Sequence, residues 1–575
     1  MSIQNSKWMS ALRGQYVLLV VLAALAGFAS VASFWGLPDG ATALSSEHWA
    51  IDTIGPVSPL AEANQRFTRA GIDNAVYPLF HYMVLAAAYV PYLAVAWLTG
   101  GLSDPSSEFP YGVIEPAEFF RTLALIGSLV SLLMAFGIVL IVYDVTRRLF
   151  DVRAARWAAA FSALLAPLTY YAGTTNLDVP YLFWTLLAMR ALLLGATDGR
   201  LRHFVVCGVA AGLGMATKDQ AVGYFVLWPL LIPILVARLG PESGTHRLWR
   251  ALIDRRTLAA AAAMLLAYAI GNNLFLGGWQ GWLRHFEFVD AFYQANLAPD
   301  ARPFVVKQAD LLATAARETV QMVGPLTALL GILGIWLAIR TRRWMSVMLP
   351  VFALSYYLTI IMPVMVHARY LLGMLILLMP FAGYAVSAGW SSRSVVWRNV
   401  VRVTAVAAVA VEALLSLHLA YTLGGDSRYA MASWVRANVP EYSAIESQTQ
   451  PRYLPRLADR YEYTTVGNSF HAVSYHLVGD ELSAAALAAR SPDFVMVLES
   501  SGLSGDPERT SDPQLREYFR GLLSGEMGYE VVARFATPSY LRFLQITAGT
   551  RPTTVLLRRS SDSGSATALA GPSPP

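Results

Sequence analysis

Cysteine and charged residues are both scarce in this sequence of 575 residues. The single cysteine, Cys207, excludes a disulfide framework and a cysteine-rich zinc site. Charged residues make up 14% of the chain, whereas a soluble globular protein carries about 25%. Because 55% of the residues are hydrophobic and the mean hydropathy is +0.46, this deficit excludes a disordered protein, a coiled coil and an ordinary soluble enzyme. The composition indicates a polytopic membrane protein.

Motifs for nucleotide and hydrolase chemistry are missing as well. The sequence has no Walker loop, GxSxG elbow or HExxH pattern in context, so nucleotide binding is not supported. The net charge of +5 and the pI near 9.1 do not indicate a nucleic-acid partner, because excess Lys and Arg in a membrane protein usually mark cytoplasmic loops.

The apolar runs predict about eleven spanning helices. They lie near 16–36, 120–143, 155–172, 180–196, 202–216, 221–238, 258–276, 320–339, 345–362, 370–389 and 401–422. Basic clusters separate several of them, from Arg147 onward to Arg402, and predict cytoplasmic turns. There is a further apolar run at 78–99. If it crossed the membrane, the basic clusters that follow would lie on the outer side. We therefore predict an outer juxtamembrane or re-entrant helix there, in which Pro91 could break the helix.

The predicted fold is an all-α polytopic membrane bundle followed by a soluble α/β domain. Residues 1–423 form the transmembrane module, with 37–119 as its first outer loop, and residues 424–559 form the domain. Short strands are expected near 494–498, 529–535 and 554–558, and 560–575 is expected to be a disordered tail. The basic N-terminal segment predicts a cytoplasmic N-terminus, which places the C-terminal domain outside a plasma or inner membrane.

This topology brings several ionisable residues to the outer ends of helices. They are Glu47 and Asp52 in the first loop, Asp178, Lys218, and the pair His367 and Arg369. An ionisable group at the membrane boundary costs little, so a solvated loop charge is the alternative interpretation for each. Their placement beside Pro, Gly or Asn in every outer turn favours a shared site instead.

Four segments resemble membrane glycosyltransferases of the GT-C class, which include the protein O-mannosyltransferases and the lipid A aminoarabinose transferases. The segments are Tyr77–Tyr82 (YPLFHY), the stretch from Arg121 to Asp178, ATK at 216–218, and HARYLLGMLILLMP at 367–380. They occur in the family's order across residues 15–420. The resemblance implies a polyprenyl-phosphate-linked sugar donor and transfer with inversion to a glycan, lipid or protein acceptor outside the membrane.

The resemblance also implies roles for individual residues. Asp52 matches the catalytic carboxylate, with Glu47 in reserve, although the family's adjacent Asp-Glu pair is missing here. Asp178 matches its second acid. Positioned carboxylates serve as general bases, and the phosphate of the donor needs cations or a divalent metal ion. Arg369 and Lys218 are assigned to the donor phosphate, and His367 to a metal or phosphate. The residues assigned to substrate binding are Asn176, Tyr77, His81 and Tyr370.

Two other functions remain open at this point. A transporter or flippase of lipid-linked glycans would also be polytopic, but the few charges within the helices and the long acidic first loop favour the enzyme. The missing Asp-Glu pair leaves room for a non-catalytic membrane scaffold. The favoured interpretation is therefore a glycosyltransferase surrounded by membrane lipids. It predicts no cofactor other than the metal ion considered above.

Overall fold

The computed structural model describes most of the bundle and much of the C-terminal domain. The described residues are 2–40, 46–68, 77–104, 106, 108–239, 246–276, 279–296, 302–363, 368–441, 443–447, 451–457, 462–465, 468–471, 474–477, 482–499, 513–541, 550 and 552–560. The predicted tail beyond residue 560 lies outside them.

Helices account for nearly all of the described chain before residue 440. They are α1 (Ser2–Phe34), α2 (Ser58–Thr68), α3 (Phe80–Leu98), α4 (Pro116–Leu149), α5 (Val152–Ala163), α6 (Ala166–Gly173), α7 (Asp178–Asp198), α8 (Leu201–Met215), α9 (Val222–Phe225), α10 (Trp228–Leu239), α11 (His246–Leu252), α12 (Arg255–Gly271), α13 (Trp279–Asn296), α14 (Phe304–Arg340), α15 (Met348–Tyr356), α16 (Ala368–Trp390), α17 (Val395–Gly424) and α18 (Ser427–Asn438). A π-helical turn, Tyr357–Ile361, continues α15.

Within the described residues, eight helices are long and apolar enough to cross a membrane. The bent pair Asp219–Phe225 and Trp228–Leu239 makes nine if it is one span. All eleven predicted runs are largely helical, but 155–172 is divided between α5 and α6, with Pro167 in the first turn of the second helix. The run 221–238 is divided between α9 and α10. Helices α8 and α12 have only 15 and 17 residues. A multi-pass helical membrane protein is confirmed.

The C-terminal region is a small α/β domain, as the sequence predicts. Its other elements are β1 (Ala444–Ser447), β2 (Glu462–Thr465), β3 (Asn468–His471), β4 (Ser474–Leu477), α19 (Ala484–Arg490), β5 (Phe494–Glu499), α20 (Pro513–Ser524), β6 (Tyr529–Ala536) and β7 (Thr553–Arg559). Five strands form a sheet in the order β2-β1-β5-β7-β6, and β3 pairs with β4. Strands β1, β2 and β5 are parallel, whereas β7 is antiparallel to β5 and β6.

The helical bundle has two chemically different ends. At one end lie the turns after α4, α7 and α16, which carry the basic clusters. Arg153, just after the turn that follows α4, donates to Ser391 in the turn that follows α16 over 3.2 Å. Arg190 near the end of α7 pairs with Asp144 near the end of α4 at 2.8 Å. We call this the basic end. The opposite end contains the start of α7, the end of α8, the start of α16 and the end of α17.

Helix α3 has both of its ends at the opposite end of the bundle. Phe80, its first residue, donates to the carbonyl of Ala216, which follows α8. Beyond its last turn, Leu102 forms a β-bridge with Val113, shortly before α4 begins. Arg121 in the first turns of α4 donates to the carbonyl of Pro38, which follows α1. These contacts favour the predicted juxtamembrane position of α3, although its length and composition would allow a crossing.

Small residues let neighbouring helices approach closely in the bundle. A Cβ on Gly208 would lie 2.2 Å from the carbonyl oxygen of Ala260, and one on Gly212 would lie 2.3 Å from that of Met264. These glycines are four residues apart on α8 and face α12, the small-xxx-small spacing typical of membrane helix pairs. The packing fixes the end of α8, and therefore the position of Lys218 just after it.

Candidate functional site at the opposite end of the bundle

The first-loop segment 46–57 lies over the connection that leads into α7. The backbone N–H of Ile54 donates to the carbonyl of Thr175 over 2.9 Å. Asp52 adopts a left-handed backbone conformation with φ of +57°. Aspartate tolerates this conformation better than most residues, because its short polar side chain can bond locally. The turn places Asp52 beside the start of α7 and the start of α16.

Asn176 connects this loop to α7. Its amide nitrogen lies 3.3 Å from the carbonyl oxygen of Asp52 and 3.4 Å from that of Ile51. Its Oδ1 accepts a hydrogen bond of 2.9 Å from the backbone N–H of Asp178. Asp178 is the first residue of α7, where the helix dipole favours a negative charge. One amide side chain therefore brings both predicted catalytic acids to the same place.

Asp178 forms a buried ion pair with Lys218. The Nζ of Lys218 donates to Oδ1 of Asp178 over 2.8 Å, and the two side chains are 7% and 0% exposed. The ammonium group also lies 5.6 Å from the ring centroid of Tyr181. Oδ2 of Asp178 has no hydrogen-bond partner among the described residues. The pair leaves one carboxylate oxygen as a free acceptor in a site closed to solvent.

Arg369 forms the second cation–carboxylate pair of the site. Its Nη1 donates to Oδ2 of Asp52, and the guanidinium lies 5.2 Å from the ring centroid of Tyr370. Arg369 is 27% exposed and Asp52 is 33% exposed, so this pair borders the solvent while the pair of Asp178 and Lys218 lies beneath. Its geometry suits exchange with an anion arriving from outside, since guanidinium binds carboxylate and phosphate in the same way.

Tyr77 lies close to two acids, Asp178 and Asp219. Burial, followed by the nearby Tyr82, Asp178, Tyr370 and Asp219, raises the pKa of its phenol well above the usual 10. The hydroxyl therefore stays protonated near pH 7 and can donate a hydrogen bond. His81 is buried on α3, with both ring nitrogens unpartnered in the described part of the structure.

Two further predicted site residues are Glu47 and His367. Glu47 forms an ion pair of 2.6 Å with Arg452 of the C-terminal domain, away from Arg369. Its role as reserve base stays a prediction. His367 lies outside the described residues.

A metal ion with His367 as a ligand stays a prediction. Among the described residues no group of three or more His, Cys, Asp or Glu is placed to hold one. Asp52 and Asp178 each face a cationic side chain instead. The positive charges beside these two acids in the described structure are those of Arg369 and Lys218.

Sequence reasoning missed the contacts of the C-terminal domain with the first loop. Arg452 and Arg456 contact residues 46–50, yet neither is among the predicted site residues. The available signal is the segment PRYLPR at 451–456, in which a proline precedes each of the two arginines and an aromatic residue lies between them. Such a segment is typical of a rigid, cationic contact surface.

Comparison with known proteins supports the resemblance over part of the chain. Residues 120–270 match the family model described as dolichyl-phosphate-mannose-protein mannosyltransferase. This confirms the resemblance over the segment that carries Asn176, Asp178 and Lys218.

Two curated proteins from Pseudomonas aeruginosa, both described as undecaprenyl phosphate-alpha-4-amino-4-deoxy-L-arabinose arabinosyl transferase, are 34% identical to this chain over 133 residues. The match covers 22% of this chain and 23% of each relative, so it spans about a quarter of their length.

Two solved structures are also similar. ArnT from Cupriavidus metallidurans bound to undecaprenyl phosphate is 15% identical, with 95% of this chain and 97% of that chain covered and a TM-score of 0.46. The archaeal oligosaccharyltransferase AglB from Archaeoglobus fulgidus, in complex with an inhibitory peptide and a dolichol-phosphate, is 14% identical, with 85% and 70% covered and a TM-score of 0.47.

Proposed function

We propose that this protein is an inverting glycosyltransferase of the membrane. It moves a sugar from a polyprenyl-phosphate carrier to an acceptor on the extracytoplasmic side. The observation that carries the proposal is the meeting of Asp52 and Asp178 through Asn176, each with a cation beside it. The family match over residues 120–270 and the similarity to lipid-phosphate-dependent arabinosyl transferases support the same donor class.

Asp52 acts as the general base. An acceptor hydroxyl gives its proton to the carboxylate while its oxygen forms a bond to the anomeric carbon. The bond from that carbon to the donor phosphate oxygen breaks on the opposite face, and the lipid phosphate leaves with the electron pair. The configuration at the anomeric carbon is thereby inverted. Asp52 is the more exposed of the two acids, so a hydroxyl arriving from outside reaches it first.

Arg369 binds the phosphate of the donor. Its guanidinium pairs with Asp52, which keeps the carboxylate occupied. An arriving phosphate offers the guanidinium a stronger acceptor with a larger charge, and the exchange releases Asp52 to act as a base. The developing charge on the leaving phosphate is then stabilised by a cation already in position.

Asp178 and Tyr77 position the sugar. The Oδ2 of Asp178 lacks a partner among the described residues and can accept a sugar hydroxyl, while Lys218 holds the other oxygen. The protonated Tyr77 supplies a donor nearby. A buried carboxylate that is half satisfied discriminates strongly for a ligand hydroxyl, because leaving it unpaired costs about 1–3 kcal/mol or more.

The two ends of the bundle support the direction of transfer. The basic turns lie at one end, and the candidate site and the C-terminal domain lie at the other. Since basic loops stay in the cytoplasm, the site faces outward. Labelling of single cysteines introduced at residue 90 and residue 245 tests this arrangement, with the first expected to react from outside and the second only from the cytoplasm.

The proposed reaction is tested with the purified full-length chain. Undecaprenyl phosphate carrying mannose or aminoarabinose is supplied in detergent with candidate glycan, lipid and peptide acceptors, and released lipid phosphate is measured by mass spectrometry. In parallel, surface glycans and glycoproteins are compared with and without the gene. Release that requires an acceptor and a product of inverted configuration supports the proposal. An unchanged surface and no acceptor-dependent release with any donor would refute it.

A further inference from the structure

The first outer loop is attached to the C-terminal domain through the segment 452–456. Arg452 pairs with Glu47 at 2.6 Å, and the indole Nε1 of Trp49 donates to the carbonyl of Leu454 over 3.0 Å. Arg456 donates to the carbonyl of Glu47 over 2.6 Å and to that of Gly36 over 3.0 Å. These contacts join residues that are about 400 positions apart in the chain.

A buried arginine reinforces the same junction. Arg428 in α18 is fully buried and makes two hydrogen bonds, of 2.9 and 2.7 Å, to the carboxylate of Asp426. Its guanidinium lies 3.8 Å from the ring centroid of Trp49, and Asp426 also accepts from the indole of Trp35 over 2.9 Å. Both charged groups belong to the start of α18, and each contacts one tryptophan, Trp49 or Trp35, from the other side of the junction.

The loop is therefore attached to the C-terminal domain before its catalytic candidate, Asp52, and to the bundle at Asp52 and just after it. Glu47 and Trp49 face the C-terminal domain, whereas Asp52 and Ile54 contact Asn176 and Thr175 of the bundle. Only two residues separate Trp49 from Asp52. Because this connection is short, a shift of the loop at Trp49 pulls on Asp52 and on its contact with Arg369.

We propose that the C-terminal domain positions the catalytic loop, with Arg452 and Arg456 as positioning residues and Glu47 as their anchor. The inference rests on the proposed function, because it assigns a part in that reaction to the domain. Arg452 does not touch the substrate. It sets the place of Asp52, and small misplacements of a catalytic group cost about a hundredfold in rate.

Hydrogen exchange of the loop tests the attachment without any assay of activity. Peptides covering residues 46–57 are followed in the full-length protein and in Arg452→Ala and Glu47→Ala. Both variants should exchange at least about tenfold faster in this loop, because local opening becomes easier. The matched control is Arg534→Ala, which breaks the ion pair of 2.5 Å with Glu499 elsewhere in the same domain. Unchanged exchange in both loop variants would overturn the proposal.

Kinetics tests the positioning role. Arg452→Ala and Glu47→Ala should each lower kcat about tenfold with the donor KM within about twofold, and the double variant should be no slower than either one. Exchanging the charges, with Glu47→Arg and Arg452→Glu together, should recover part of the rate. Faster hydrogen exchange in the loop with an unchanged kcat would show that the domain holds the loop without positioning Asp52. This result would overturn the inference.

Two outcomes separate this inference from the proposed function. A far larger loss in Glu47→Ala than in Arg452→Ala would make Glu47 a catalytic group and would refute its role as an anchor. If no sugar transfer is found for the unmodified protein, the proposed function fails, while the hydrogen-exchange result still decides whether the domain holds the loop.

Discussion

Asn176 donates to the carbonyl oxygen of Asp52 over 3.3 Å, although the two residues are 124 positions apart in the chain. The same side chain accepts from the backbone of Asp178. An asparagine side chain can serve both loops at once, because it carries a donor and an acceptor. The relative position of the two acids thus depends on one uncharged residue that takes no proton itself.

Replacing Asn176 with alanine should lower kcat between about tenfold and a hundredfold, because Asp52 loses a fixed support. The donor KM should change little, since Arg369 and Lys218 are untouched. Steady-state rates of lipid-phosphate release check this. Asn438→Ala is the matched control, since Asn438 is exposed and its amide donates to the carbonyl of Trp434. A rate equal to that of the control would remove Asn176 from the positioning of Asp52.

Asp52→Asn should abolish turnover, with a loss of at least about a hundredfold in kcat, because the amide cannot accept the acceptor's proton. Donor binding should persist or strengthen, since Arg369 no longer faces a competing carboxylate. Binding is measured by protection of the protein against thermal unfolding by undecaprenyl phosphate. Asp104→Asn, an exposed acid of the same outer segment, serves as the control. Near-normal turnover in Asp52→Asn would assign the base to another residue.

Arg369→Ala should raise the apparent KM for the donor about tenfold or more, because a charge-assisted contact to phosphate is lost. Arg369→Lys should recover only part of the affinity, since an ammonium group cannot bind phosphate in a bidentate manner. The readout is the rate as a function of donor concentration. Arg317→Ala, which removes an exposed arginine of α14, is the comparison. An unchanged donor KM in Arg369→Ala would exclude this residue from the phosphate site.

Much of the fold was predictable because the apolar runs are long and the basic turns are regular. Runs such as 370–389 became single helices, and the three expected strands of the C-terminal domain are β5, β6 and β7. The break before Pro167 follows from local chemistry, but the hydropathy of 155–172 conceals it. The contacts of Arg452 could not be predicted, because they depend on how the domain docks on a loop some 400 residues earlier. The same reason explains why Lys218 faces Asp178.

The buried pair of Lys218 and Asp178 should stabilise the bundle only while both charges are present. Lys218→Met should lower the free energy of unfolding by about 3–5 kcal/mol, because Asp178 is left buried without its cation. The double variant with Asp178→Asn should recover much of this loss. Chemical unfolding in detergent measures both. Arg558→Ala is the control, since it breaks an exposed pair with Glu530 and should cost under about 1 kcal/mol. A loss in Lys218→Met no larger than this would show that the pair does not support the fold.

The titration of His48 should contribute to the pH dependence of the free energy of unfolding. This residue is fully buried in the first loop, with its Nδ1 3.2 Å from the carbonyl of Trp35. Burial lowers its pKa to about 4, with the nearby Arg456 acting in the same direction. Because the pKa is lower in the folded state than in the unfolded state, protonation favours unfolding.

Stability from this group should therefore be complete above about pH 6.5 and be lost as the pH falls toward 4, by about 3 kcal/mol in total. His48→Asn keeps a donor for Trp35 but cannot be protonated, so its free energy of unfolding should fall less between pH 7 and pH 4.5. Thermal unfolding of the two proteins across this range provides the measurement. His203→Asn is the control, because His203 pairs with Asp198 at the basic end. Parallel pH profiles for His48→Asn and the unmodified protein would show that His48 does not titrate in this window.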